Sequence, residues 1–136
     1  MYTFHHVCLS VSDRARSVAF YEKLGFGEVY LWEAPDKSLS ITHLKNQAMI
    51  LELFCYADSQ PAPESIHDTA TDLPVIGTKH FCLQVDSIEA ARQDLAAKGM
   101  VDANTEIKQG RTGPRFFFIA DPDGILVEIM QDDRNL

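Results

Sequence analysis

The 136-residue sequence is short of cysteine, of positive charge and of long apolar runs. Its three cysteines, Cys8, Cys55 and Cys82, form no CxxC pair, and the odd count excludes a fully paired disulfide framework. Each lies in an apolar, strand-like run, where a reduced thiol behaves as a small hydrophobe. Twelve Lys and Arg stand against twenty Asp and Glu, a net charge of −8, with no basic cluster. That balance argues against nucleic acid or an anionic membrane as a partner. The first residues lack an uninterrupted apolar stretch, so no signal peptide or spanning segment is expected, and a cytoplasmic, reducing compartment is.

What is present is an ordinary globular mixture, 46% hydrophobic and 24% charged, at a length suited to a single domain with its own core. Thr3–Val11 alternates as a strand. Arg14–Leu24 has helical spacing, with Asp13 ahead of it and Gly25 behind. Three short strands follow, Phe26–Trp32, Ser38–Leu44 and Ala48–Cys55. After a polar, Pro-containing stretch the same order returns: strand Lys79–Val85, helix Ser87–Lys98 ended by Gly99, and strands Val101–Ile107, Arg115–Ala120 and Ile125–Met130.

The repetition extends to residues. His6-Val7-Cys8-Leu9-Ser10-Val11 matches His80-Phe81-Cys82-Leu83-Gln84-Val85 at an offset of 74, which also brings Gly25 onto Gly99. Ile50-Leu51-Glu52-Leu53 resembles Leu126-Val127-Glu128-Ile129 at an offset of 76. The pattern predicts an α+β fold of two tandem βαβββ modules forming a curved mixed sheet. Module 1 spans about 1–56, the linker about 57–77 and module 2 about 78–132, within one domain covering 1–136.

Period-two alternation then selects candidate functional residues. It puts His6, Cys8 and Ser10 on one face and Val7, Leu9 and Val11 on the other, which should pack on the helix. His80, Cys82 and Gln84 repeat this. His5 falls on the helix side or at the strand mouth. Glu52 and Glu128 each stand in a strand that is otherwise apolar on both faces and holds no Lys or Arg. A carboxylate there is costly unless paired or bound to a cation. A His opens each repeat and a Glu closes it, 46 residues apart in one and 48 in the other. Two imidazoles and two carboxylates suit a divalent ion, and Zn, Ni, Co, Mn or Fe would each accept them. Cys8 and Cys82 are expected to pack rather than to bind metal, and Tyr30 and Trp32 to pack in the strand core.

The stretches "HHVCLSVSDRARSVAFYEKLGF", "ILELF", "KHFCLQVD" and "FIADPDGILVEIM" resemble the vicinal oxygen chelate superfamily of glyoxalase I, bleomycin-resistance proteins and extradiol dioxygenases. The resemblance implies paired βαβββ modules around a metal cup, with His6, Glu52, His80 and Glu128 as ligands. This His-Glu-His-Glu set looks like glyoxalase I. It implies a small-molecule oxo-substrate processed through a metal-stabilised enediolate, with Glu128 as first choice of base and Glu52 as second. The superfamily also offers an acyl-thioester epimerase and a metal-free ligand-sequestering protein. Where glyoxalase I typically has a glutathione-holding Arg four residues after the first His and an Asn four after the first Glu, this chain has Ser10 and Tyr56. Lys108, Arg111 and Arg115 are candidates for binding an anionic substrate end. A homodimer is expected, with the site formed within one chain or across the dimer.

Overall fold

A computed structural model of the chain describes residues 1–64 and 68–135. Among them, eight strands and three helices fall into two compact units, Met1–Ala62 and Pro63–Leu136. Residues 65–67 of the expected linker lie outside the described residues.

The first unit runs β1 (His6–Ser10), α1 (Arg14–Glu22), β2 (Gly27–Glu33), β3 (Leu39–Asn46) and β4 (Met49–Tyr56). Its sheet has the order β1-β4-β3-β2, with β1 parallel to β4 and the other pairs antiparallel. The Asp13 side chain caps α1 by accepting from the Arg16 backbone N–H at 3.0 Å. Past the helix, Gly25 adopts φ +87°, a left-handed conformation that costs a glycine little. Leu9, Val11, Tyr21, Phe26, Leu44, Leu51 and Leu53 are buried together with Ser17 of the helix. The face of β1 and β4 expected to meet the helix is therefore the buried one. Removing one such Leu side chain from water contributes roughly 1.5–3 kcal/mol.

The second unit opens with a short helix in the connector, α2 (Thr69–Asp72), followed by β5 (Phe81–Gln84), α3 (Ile88–Ala97), β6 (Lys108–Gln109), β7 (Arg115–Ala120) and β8 (Leu126–Gln131). The sheet order β5-β8-β7-β6 repeats the first, again with its first pair parallel. Ser87 caps α3 through the Ala90 N–H, and Gly99, at φ +70°, follows it. Phe81, Ile88, Leu95, Phe117, Ile119, Val127 and Ile129 form the core. Each module makes its own four-stranded mixed sheet, and neither sheet closes.

Two expectations change. The strand foreseen at Val101–Ile107 is irregular, and β6 shrinks to two residues. Asp102 is the cause: its side chain accepts from the Asn104 N–H at 2.7 Å and its carbonyl from the Thr105 N–H at 3.0 Å, which commits the backbone to a turn. Tyr30 and Trp32 are 55% and 43% exposed rather than core. They lie on β2, an edge strand with one neighbour.

Candidate metal centre

The open face of the first sheet carries His6, Cys8 and Ser10 from β1, Glu52 from β4 and His43 from β3. Register explains the grouping. Cys8 lies beside Glu52 in the parallel pair, and His43 lies directly opposite Glu52 in the antiparallel pair. Glu52 Oε2 is 3.4 Å from His6 Nε2, and Oε1 is 3.0 Å from His43 Nε2. The His6 and His43 rings are stacked with centroids 6.5 Å apart. The hydrogen bond from His43, reinforced by the charges of His6 and His43 and by the Cys8 thiol, holds the Glu52 carboxyl below its usual range despite partial burial. Burial and the Glu52 charge push the Cys8 thiol up, so it stays protonated and donates to the carboxylate.

His5 precedes β1, so strand alternation does not govern it. It sits at the strand mouth, and its Nδ1 is 2.9 Å from His6 Nδ1. That contact occupies one nitrogen of His6 and leaves the other, Nε2, turned to Glu52.

The second sheet presents a matching face. His80 stands just ahead of β5, and its Nε2 is 3.2 Å from Glu128 Oε2. Cys82 lies beside Glu128 in the parallel pair, and Phe118 lies directly opposite it. The Phe118 ring meets the His80 ring edge-on at 5.0 Å. Burial, with the Glu128 charge and a hydrogen bond to it, pushes the Cys82 thiol up to about 12. The strand carrying Glu128 is delivered by the Asp-Pro-Asp-Gly turn. Buried Asp121 closes that turn, its Oδ1 accepting from Asp123 N–H at 2.9 Å and Ile125 N–H at 2.8 Å.

The sequence-derived residues therefore come together pairwise, His6 with Glu52 and His80 with Glu128. Among the described residues, no group of three or more His, Cys, Asp and Glu is arranged to hold a metal by itself. In donor chemistry each pair offers one imidazole nitrogen and one carboxylate, donor types that divalent ions accept.

The three basic candidates part ways. Lys108 lies opposite Phe116, on the face that also carries Phe118 and Glu128. Arg111 is exposed in the turn between β6 and β7. Arg115 shares its side of β7 with buried Phe117 and Ile119, and it is ion-paired to Glu89 of α3. It thus stands on the helix face of the sheet, away from Glu128, because it is an odd number of residues from Phe118.

His43 is the residue that sequence reasoning missed. The signal was available: β3 and β4 are joined by a two-residue turn, Gln47-Ala48, with Gln47 at φ +51°. A two-residue hairpin fixes the register, and counting back from it pairs His43 with Glu52.

No helix among the described residues is long and apolar enough to cross a membrane. Human mitochondrial methylmalonyl-CoA epimerase is 27% identical over 93% of this chain and 72% of its own length. Lactoylglutathione lyase from Schizosaccharomyces pombe is 26% identical over 96% of this chain, which spans 45% of that protein. The crystal structure of a glyoxalase family protein from Enterococcus faecalis superposes with a TM-score of 0.78 at 28% identity, covering 94% of this chain and 96% of that one. Residues 3–129 match the sequence pattern of one family, and with the duplicated fold this places the chain in the Glyoxalase/Bleomycin resistance protein/Dioxygenase superfamily.

Proposed function

We propose that the protein is a divalent-metal-dependent enzyme of glyoxalase I type, a lyase or isomerase that moves a proton between adjacent carbons of a small oxo-compound. The observation that carries this reading is the His–Glu pair presented once by each module on matched strands, at 3.4 Å for His6–Glu52 and 3.2 Å for His80–Glu128. These four side chains supply the donors. A bound divalent ion would polarise adjacent substrate oxygens and offset the negative charge that develops as a C–H proton leaves. Glu128 takes that proton, and the C–H electron pair becomes a C=C bond as the carbonyl pair moves onto its oxygen. Glu128 then returns the proton to the neighbouring carbon, while the hydroxyl proton passes to the former carbonyl oxygen and the carbonyl re-forms one carbon over. Glu52 remains a ligand. Lys108 and Arg111 attract an anionic substrate end. The two modules act as one domain, and the protein works as a homodimer.

A second reading shares the ligands but returns the proton to the same carbon from the opposite face, as an acyl-thioester epimerase would. It is supported by the greater share of methylmalonyl-CoA epimerase that the chain spans, 72% against 45% of the lyase. Ser10 and Tyr56 favour it too, since neither supplies the charge of an Arg or the amide of an Asn. Sequestration of a ligand without metal is the third superfamily activity, and it gives no reason for both His–Glu pairs.

Elemental analysis of the purified protein, followed by assays with methylglyoxal with and without glutathione, tests the first reading. Stoichiometric divalent metal with turnover of methylglyoxal or its glutathione adduct supports it. Metal with no such turnover, but with exchange of the α-proton of an acyl thioester in D2O, moves the assignment to the epimerase. Absence of metal from protein grown in each of the five ions, with Glu52→Gln and Glu128→Gln leaving ligand binding unchanged, overturns both.

A further inference from the structure

We infer that His43 is a positioning residue for Glu52. It holds one carboxylate oxygen so that the other faces His6, and the second module has Phe118 in its place. This rests on the metal reading above and deepens it, because it makes the two Glu residues unequal. Glu52 is restrained as a stationary ligand, while Glu128 keeps the freedom to carry a proton.

The geometry is specific. Nε2 of His43 lies 3.0 Å from Oε1 of Glu52, and Oε2 of the same carboxylate lies 3.4 Å from Nε2 of His6. A carboxylate only accepts hydrogen bonds, so His43 must carry its hydrogen on Nε2 and donate. The two residues are direct cross-strand partners, so the backbone register maintains the contact. The His43 ring is restrained on both sides, with Tyr30 at 5.7 Å and His6 at 6.5 Å between centroids. At the matching position of the second module, Phe118 faces Glu128 with a ring that has no donor. A single hydrogen bond from outside the ligand set therefore distinguishes two carboxylates that sit in otherwise equivalent strands. Such orienting contacts typically change metal affinity by about 10–100-fold when removed.

The test uses the full chain, with Co2+ as the probe. His43→Phe copies the second module and deletes the donor, whereas His43→Gln retains an N–H donor. Titration against a competing chelator should show Co2+ held about 10–100-fold more weakly by His43→Phe and within roughly 3-fold of the parent by His43→Gln. The visible bands of bound Co2+ should be unchanged in both, since His43 is not a ligand. In the metal-free parent, nitrogen NMR should find His43 protonated on Nε2 with that N–H deshielded by its hydrogen bond, and Glu52→Ala should remove the deshielding. Equal weakening in both variants with altered bands would make His43 a ligand and overturn the inference. An unweakened His43→Phe, or an Nδ1-protonated His43 in the parent, would overturn it as well. If the parent takes up no Co2+, the metal reading fails by itself, and the tautomer measurement then decides whether His43 holds Glu52.

Discussion

The two modules share a chain path but not a chemical environment. Each places a Glu on its fourth strand, a Cys beside it on the first strand and a His two residues before that Cys. The third strand is where they diverge: His43 stands opposite Glu52, and Phe118 opposite Glu128. One carboxylate has a hydrogen-bond donor across the ladder and the other an aromatic ring. The backbone repeat thus fixes where a carboxylate stands, and a single cross-strand neighbour makes its surroundings differ. A duplicated fold can in this way present two copies of one residue in two different environments.

The sharpest way to break the comparison is to neutralise each Glu in turn. Glu128→Gln should lower kcat by about 10²–10⁴-fold while the protein still binds metal, whereas Glu52→Gln should act first on metal affinity. Steady-state kinetics and metal titration on both variants check this, and identical profiles would mean that the modules are equivalent.

The cores should respond alike even if the sites do not. Leu53 and Ile129 follow the two Glu residues and are 1% and 2% exposed. Leu53→Ala and Ile129→Ala should each cost about 2–5 kcal/mol in urea unfolding, by lost apolar burial and the cavity left behind. A large inequality would show that one module carries most of the stability.

The thiols sharpen the contrast further. With Cys82 pushed up to about 12, it should alkylate at pH 8 on the order of 10³-fold more slowly than an unhindered thiol, and faster as pH rises toward that value. Cys8 is raised too but is more exposed, and should label before Cys82. Mass spectrometry of timed iodoacetamide reactions reads both sites, and the reverse order would contradict the environments described.

The smallest effect is a pH dependence of stability. Glu52 ionises at lower pH in the folded chain than in the unfolded one. Its contribution is therefore complete above the ordinary carboxylate range and is lost as pH falls through the folded value. Urea midpoints of the metal-free protein between pH 7 and pH 3 should fall less steeply in His43→Phe than in the parent, because the principal cause of the depression is gone.

Much of this was legible in the sequence. The repeat, the helix stops at Gly25 and Gly99, and the polar face of each first strand follow from periodicities that the backbone enforces locally. Turn chemistry misled at Val101–Ile107, where an apolar start and β-formers suggested a strand and Asp102 made a turn. Arg115 read as a substrate ligand from its charge, but its parity along β7 places it on the helix side, beside Glu89.

From residue order alone come two similar βαβββ units, each with a His at the start of its first strand and a Glu in its last. Hydrophobic alternation sets the faces within those strands, because a one-residue slip would send a buried face into water, and the 74-residue offset carries His6 onto His80. Only the tertiary structure decided what meets each Glu. His43, Phe118, Cys8 and Cys82 reach their carboxylates through strand pairing. The Gln47-Ala48 hairpin sets the His43 register locally, but the sheet order that puts Cys8 and Cys82 beside their carboxylates joins segments far apart in sequence, which no local pattern specifies.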